Sequence, residues 1–323
     1  MLPGAPERVD FIACGTAYHA GCLGACYFSE LARVESRAHI ASEYRYAHHF
    51  PCRNECVVAI SQSGETADTL AAFQEAGKTG ADLSALTNTV GSTLSRMAQK
   101  TLLTYAGPEI AVASTKAYVT QVETLLLMAL HLGVKRGALS RQRQGEILEE
   151  LRALPEKMER VLSNYAAIQH YCDCHLHERL IFFIGRGMDY ALAMEGALKL
   201  KEVSYLPCEA YAAGELKHGA IALIAEGTPV FAVCTQEKFL EKTLSNLRET
   251  KARGAETVCI CPEKFALRAR QDADSVWVVP DADPLLLPLL AILPMQLLAY
   301  HMAVARGEDV DKPRNLAKSV TVE

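Results

Sequence analysis

The sequence predicts an α/β fold made of two similar halves, each a mostly parallel sheet flanked by helices. Three observations point to it. Short apolar runs alternate with stretches of helical length, the pattern of βαβ units with right-handed crossovers. The alternation starts again near residue 180, as in a duplicated domain. Half of the 323 residues are hydrophobic and 22% are charged, so two cores can form without disulfides or metal.

In order, residues 9–13 read as a strand, 15–31 as a helix, 56–60 as a strand, 66–79 as a helix and 83–86 as a strand. A polar start at Ala113-Ser114-Thr115-Lys116 precedes a helix over 117–132. Residues 138–168 are charged and helical, with Leu148, Leu151, Leu154, Met158 and Leu162 on one stripe. Pro155 is expected to break them into a connecting pair. The second half gives strand 180–184, helix 190–205, strand 230–234, helix 239–253 and strand 258–261. Residues 284–305 are apolar enough to suggest a membrane span, but Pro288, Pro294, Gln296 and His301 interrupt them. A buried helix starting near Pro294 is expected instead. The expected domains are 1–145 and 146–306, followed by an irregular tail, 307–323.

The two halves align by motif: FIACGTA (11–17) with FFIGRGM (182–188), and Glu43-Tyr44 with Glu209-Ala210-Tyr211. CVVAISQ (56–62) aligns with PVFAVCT (229–235), and KTGADLSAL (78–86) with ARGAETVCI (252–260). Their chemistry is unequal. The first copy follows its strand with Ser61-Gln62-Ser63-Gly64-Glu65-Thr66, whereas the second has Cys234-Thr235-Gln236-Glu237-Lys238 and no glycine.

Composition excludes several classes. A net charge of −5, with no basic run, argues against a nucleic-acid partner. Eleven cysteines without an apolar leader segment read as free thiols in a reducing cytoplasm. Cys52 and Cys56 beside His48 and His49, and the run Cys172-Asp173-Cys174-His175-Leu176-His177, lack the paired spacing of a structural zinc site, so no metal is expected.

Residues 61–66 end a strand and open a helix. Their three hydroxyls, with amides at the positive end of the helix dipole, suit a phosphate monoester; a simple cap with Glu65 closing a capping box is the alternative. Thr115 reads as a cap, and Ser114 as either a cap or a pocket residue. Glu195, Lys199 and Glu202 fall on one face of a helix that is otherwise apolar or small. They are either a solvated ladder or, with the His218-containing loop 208–219, a proton-shuttling group. A lysine in the tail, Lys318, matters only if the tail folds over the pocket.

CGTAYHAG, ISQSGETADTL, VASTKAY, EGALKLKEVSY, EAYAAGELKHG and the terminal DKPRNLAKSVTVE together resemble the isomerase half of the glucosamine-6-phosphate synthases. These are glutamine–fructose-6-phosphate aminotransferases whose isomerase half is two tandem sugar-isomerase (SIS) domains of flavodoxin-like, doubly wound architecture. The resemblance runs along nearly the whole chain. It implies that Ser61, Gln62, Ser63 and Thr66 hold the sugar phosphate, and that Thr16, Val112, Ser114 and Ala317 contact the substrate. It further implies Glu202 as the acid/base between C1 and C2, Lys199 as its assistant, and His218 as the ring opener, donated by a partner in a homodimer. Lys318 would form a Schiff base with the ketose, in a desolvated pocket that lowers its pKa. That imine activates C1–H for removal by Glu202, after which ammonia displaces the lysine. Fructose 6-phosphate and glucosamine 6-phosphate are the implied ligands, without cofactor, metal, nucleic acid or membrane.

There are two departures from the pattern. Ala17 stands where the family usually has serine. The glutaminase domain with its N-terminal cysteine nucleophile has no counterpart in the sequence, so the expected activity is isomerisation to glucose 6-phosphate, or amination from free ammonia. Two other readings predict different chemistry: a glucosamine-6-phosphate deaminase-type enzyme, and a sugar-phosphate-sensing module without turnover.

Overall fold

The computed structural model describes residues 6–50 and 52–321; the opening segment and the last two residues of the closing motif lie outside them. The chain divides into two compact units, Met1–Glu146 with Asn315–Glu323, and Ile147–Arg314.

In the first unit β1 (Arg8–Ala13) leads into α1 (Gly15–Tyr27), then β2 (Glu35–Ile40), the single turn α2 (Ala41–Tyr44), β3 (Glu55–Ser61) and α3 (Ala67–Lys78). There follow β4 (Asp82–Thr87), α4 (Thr93–Met97), β5 (Lys100–Leu103) and α5 (Lys116–Lys135). The strands are parallel in the order β2-β1-β3-β4-β5. β3 is buried along its whole length, as a central parallel strand covered on both faces must be. The chain goes from β1 to one side and returns to β3 on the other. Loops leaving the carboxyl ends of β1 and β3 therefore diverge and open a crevice. Cys14 with the first turn of α1 (15–17) follows the end of β1, and residues 62–66 form the loop after β3. The helix expected over 15–31 is shorter: α1 stops at Tyr27, and Phe28–Ala32 form a π turn closed by Arg33 in the left-handed region.

α6 (Arg141–Ser163) carries the chain into the second unit without breaking at Pro155. Pro155 is exposed, so the carbonyl that loses its N–H partner can be hydrated. The break comes instead at Asn164 and Tyr165, before α7 (Ala166–Cys174). The buried stripe is Ile147, Leu154 and Val161; of the expected residues only Leu154 belongs to it, and Leu162 is exposed.

The second unit continues with β6 (Ile181–Gly185), α8 (Met188–Ser204), β7 (Cys208–Ala212), β8 (Pro229–Val233), α9 (Leu240–Lys251), β9 (Glu256–Pro262), α10 (Glu263–Ala269), β10 (Ser275–Val279) and α11 (Leu287–Ala305). α11 begins two turns before Pro294, with Pro288 in its first turn, where a missing N–H costs nothing. Both α5 and α11 are long and apolar enough to cross a membrane. Each is mostly buried within its own unit, α5 against α1 and α11 against α7 and α8. Phe183 and Phe231 stack at 5.0 Å in the centre of the second sheet.

The second sheet, β10-β9-β8-β6-β7, has the first sheet's order read from the other edge. Its register corrects the motif alignment. Phe11 pairs with Val58 and Phe183 with Phe231, so Phe11 corresponds to Phe183, one residue later than the sequence comparison gives. A slip of one residue exchanges sheet faces, so the ladder decides. Gly15 then matches Gly187, with φ +52° and +58°, and Ala17 matches Asp189. By the pairs Ala13–Ile40 and Gly185–Ala212, Glu43-Tyr44 matches Glu215-Leu216 rather than 209–211.

Candidate active site

The loop after β3 is shaped by its own hydroxyls. Ser61 is buried; its Oγ accepts the Gly64 N–H at 3.0 Å and lies 2.9 Å from Thr66 Oγ1. Ser63 Oγ accepts the Glu65 N–H at 3.2 Å. The Gln62 carbonyl accepts the Asn88 N–H and the hydroxyls of Thr87 and Thr89, which ties the loop to the end of β4. Gly64 has φ +70°, and a Cβ there would overlap the Ser92 side chain, so the turn requires glycine. The capping-box alternative does not form. Thr66 occupies the N-cap position of α3 without a side-chain cap, and the Glu65 carboxylate goes to the Thr93 N–H of α4 at 2.8 Å. Hydroxyls and a helix start thus stand together beside the crevice, while the Gly64 and Glu65 amides are taken up by Ser61 and Ser63 and the Ala67 amide by the Val320 carbonyl. Thr16 lies half-buried in the first turn of α1, at the other lip of the same crevice.

The tail returns to this loop. Ser319 Oγ lies 3.0 Å from Ser63 Oγ, and the Val320 carbonyl accepts the Ala67 N–H at the start of α3 at 3.0 Å. Lys318 Nζ donates to the Ala111 carbonyl at 2.8 Å and lies 3.2 Å from Glu109 Oε2. Val112 and Ser114, both half-buried, follow Ala111 directly, and Ala317 is exposed. The Lys318 side chain is 28% exposed and paired with a carboxylate, so the dry pocket expected for an imine-forming lysine is not its resting state. Glu109 and Ser319 were missed from sequence, because neither stands in a periodic segment.

In the second unit α8 packs on β6, β7 and α11, with Gly196 so close to α11 that a Cβ would overlap Met295. Burial on nearly every side excludes the solvated ladder as a reading of its charged face. Glu195 is 0% and Lys199 2% exposed. Lys199 Nζ donates to Glu202 Oε2 and lies 3.6 Å from Glu195 Oε1. Burial alone would lower the Lys199 pKa, but the two carboxylates outweigh it and the net shift is upward. Lys199 is thus held as a cation between two carboxylates, of which Glu202, 21% exposed, is the less buried.

His218 ends a 3₁₀ turn, Glu215–His218, that is anchored by buried Leu216 and leaves the imidazole exposed. Tyr205 closes α8 in the left-handed region; its ring stacks on the Arg314 guanidinium at 4.2 Å and its hydroxyl accepts the Arg314 N–H at 2.8 Å. In the first turn of α8, Asp189 is fully buried and accepts the N–H groups of Thr235 and Gln236, in the loop after β8, at 3.0 and 3.3 Å, together with the Thr235 hydroxyl. None of the eleven cysteines is in a disulfide. In the two cysteine–histidine runs, Cys56 faces Ser84, and His175 bridges the Tyr171 carbonyl and Glu256.

A parallel sheet with its crevice between the first and third strands, present once in each unit, defines a doubled, open α/β architecture of the flavodoxin type. The SIS domain family model matches residues 4–131 and 176–306, and the chain belongs to the SIS domain family. It is 50% identical over 317 residues to glutamine–fructose-6-phosphate aminotransferase (isomerizing) of Caldanaerobacter subterraneus subsp. tengcongensis, covering 98% of this chain and 52% of that protein. To the aminotransferase of the same name from Thermus thermophilus it is 46% identical, covering 99% and 53%. The chain thus spans about half the length of the curated relatives it matches. The solved C-terminal domain of glucosamine-fructose-6-phosphate aminotransferase from Francisella tularensis superposes with a TM-score of 0.92 at 36% identity, over 95% of this chain and 87% of that one. A glucosamine-6-phosphate deaminase from Thermotoga maritima shares the fold, with a TM-score of 0.76 at 22% identity over 98% and 91%.

Proposed function

We propose that the chain is the sugar-isomerising part of an aminotransferase acting on fructose 6-phosphate. One observation carries this reading: the tail is pinned to the hydroxyl-lined loop by Ser319–Ser63 and Val320–Ala67, so Lys318 belongs to the same unit as the anion cradle. In this reading Ser61, Gln62, Ser63 and Thr66 hold the phosphate, and Thr16, Val112, Ser114 and Ala317 contact the sugar. His218, supplied by the partner in a homodimer, opens the furanose ring. Lys318 as free amine attacks C2; the carbinolamine loses water and becomes an imine. Proton transfer with lysine still attached would leave the sugar bound through C2–N. Ammonia therefore displaces the lysine amine first, after which Glu202 takes the C1 proton and returns it to C2, yielding glucosamine 6-phosphate. Lys199 holds Glu202 in place as an ionised carboxylate. Without ammonia, Glu202 moves the same proton on the open-chain ketose through an enediol and yields glucose 6-phosphate. The eleven free thiols suit a cytoplasmic setting.

Incubation with fructose 6-phosphate, with and without ammonium, should yield glucosamine 6-phosphate and glucose 6-phosphate respectively, and borohydride should trap the sugar on Lys318. Glu202→Gln should lower both rates by at least ~100-fold. Sugar phosphate binding without turnover would instead favour a sensing module.

A further inference from the structure

Glu109 lies in the irregular segment between β5 and α5, and its side chain is only 4% exposed. A carboxylate there needs partners, and this one divides them between its two oxygens. Oε1 accepts the N–H groups of Thr115 and Ala117 at 2.8 and 3.3 Å and the Thr115 hydroxyl at 3.4 Å. These donors sit at the start of α5, where N–H groups lack helical acceptors and the dipole favours a negative charge. Oε2 faces Lys318 Nζ at 3.2 Å. Lys116 Nζ closes the same segment onto the Pro108 carbonyl at 2.6 Å.

We propose that Glu109 is a positioning residue: one carboxylate fixes the turn that carries Val112 and Ser114 and, through its other oxygen, aims the Lys318 amine at that turn. The assignment rests on the reading of Lys318 as the imine-forming residue. Its geometric content is separate. The tail is anchored at Ser319 and Val320 beside the hydroxyl-lined loop, and Glu109, together with the Ala111 carbonyl at 2.8 Å on the turn it caps, supplies the second anchor that determines where the amine stands. A ketose held by its phosphate presents C2 at a fixed distance from the cradle, so an amine released from this anchor samples positions that do not react.

Glu109→Gln keeps an acceptor for the α5 amides but turns an amide NH2 toward the ammonium. Borohydride trapping of Lys318 with fructose 6-phosphate should slow by about tenfold or more, while KM changes by less than about threefold because the cradle is untouched. Thr115→Ala removes only part of the cap; it should lower Tm without slowing trapping. Should Glu109→Gln fail to fold, Glu109→Asp serves, because it keeps the charge and draws it back from Lys318. Trapping of either variant at the wild-type rate or faster overturns the assignment while leaving the imine reading intact. A wild-type protein that is not trapped at all, yet turns over substrate, overturns both.

Discussion

Ala17 in α1 and Asp189 in α8 occupy the same place in the two copies, the first turn after a glycine with positive φ at the end of the first strand. Their neighbours correspond as well, Gln62 with Thr235 and Ser63 with Gln236. In the second copy the amides at those positions point at a carboxylate that belongs to the chain itself. In the first copy the same place holds a methyl group, which can accept nothing. The second copy thus shows a backbone cradle filled by a carboxylate, at the position where the first copy has only Ala17. In the proposed reading, residue 17 leaves the first copy open to an external phosphate, whereas Asp189 fills the second from within. An internal carboxyl group has no association entropy to overcome and is present at every ligand concentration, so an external anion could bind there only by displacing it.

The strongest way to break this comparison is to copy the filled state into the open one. Ala17→Asp should fold and should lose affinity for fructose 6-phosphate by ~100-fold or more, since a second anion beside the phosphate costs about 3 kcal/mol. Calorimetric titration of the variant measures this, and wild-type affinity would show that the cradles do not correspond. The converse change is next in size. Asp189→Ala leaves two buried amides without an acceptor and the Thr235 hydroxyl with only the Gln236 side-chain amide as partner, a loss of about 3 kcal/mol. Inorganic phosphate should restore part of the lost Tm in this variant and add less to the wild type, if the second cradle is a true anion site.

The same carboxyl predicts a pH effect of definite sign. Burial pushes Asp189 up to about 7, against the pull of the Thr235 and Gln236 donors. In the unfolded chain it titrates near ~3.9. The folded state therefore holds this proton more tightly between those values. The stability it contributes is complete below about pH 4 and is lost as pH rises through 7, by a few kcal/mol. Other carboxylates work in the opposite direction, so the test is a difference: Asp189→Asn should flatten the decline in stability across pH 4 to 7 relative to wild type. Parallel curves for the two proteins would show that Asp189 is ionised throughout.

What could be read in advance follows from physics. β3, β6 and β8 announced themselves because a strand covered on both faces is an unbroken apolar run. β2 did not: it is an edge strand, ESRAHI, with no fully buried residue and only two apolar ones. β5, with four residues, is too short to carry a pattern. The hydroxyl-rich turn was legible because its chemistry is local, three hydroxyls and a glycine within six residues. The burial of Glu195 and Lys199 was only hinted at by their apolar neighbours, since it depends on α11 closing over Gly196 from about a hundred residues away. Glu109 had no local sign at all; its meaning comes from a lysine in the tail. Asp189 could have been found by matching Gly15 with Gly187, but the motif alignment matched the phenylalanines one residue early and hid the correspondence.

The smallest effect is the most discriminating for the first copy. Ala17 is half-buried beside the cradle, at the position where the resemblance led one to expect serine. Ala17→Ser adds a hydroxyl at the place where Asp189 donates its acceptor in the other unit, and a hydroxyl, unlike a carboxylate, can also donate to a phosphate oxygen. One added hydrogen bond is worth about 1 kcal/mol, so fructose 6-phosphate should bind roughly fivefold more tightly with kcat unchanged. Tighter binding would mean that a single residue grades the cradle from filled (Asp) through open (Ala) to reinforced (Ser). Weaker binding would mean that the methyl group is packed against the ligand, and that the first copy has adjusted its shape around the loss.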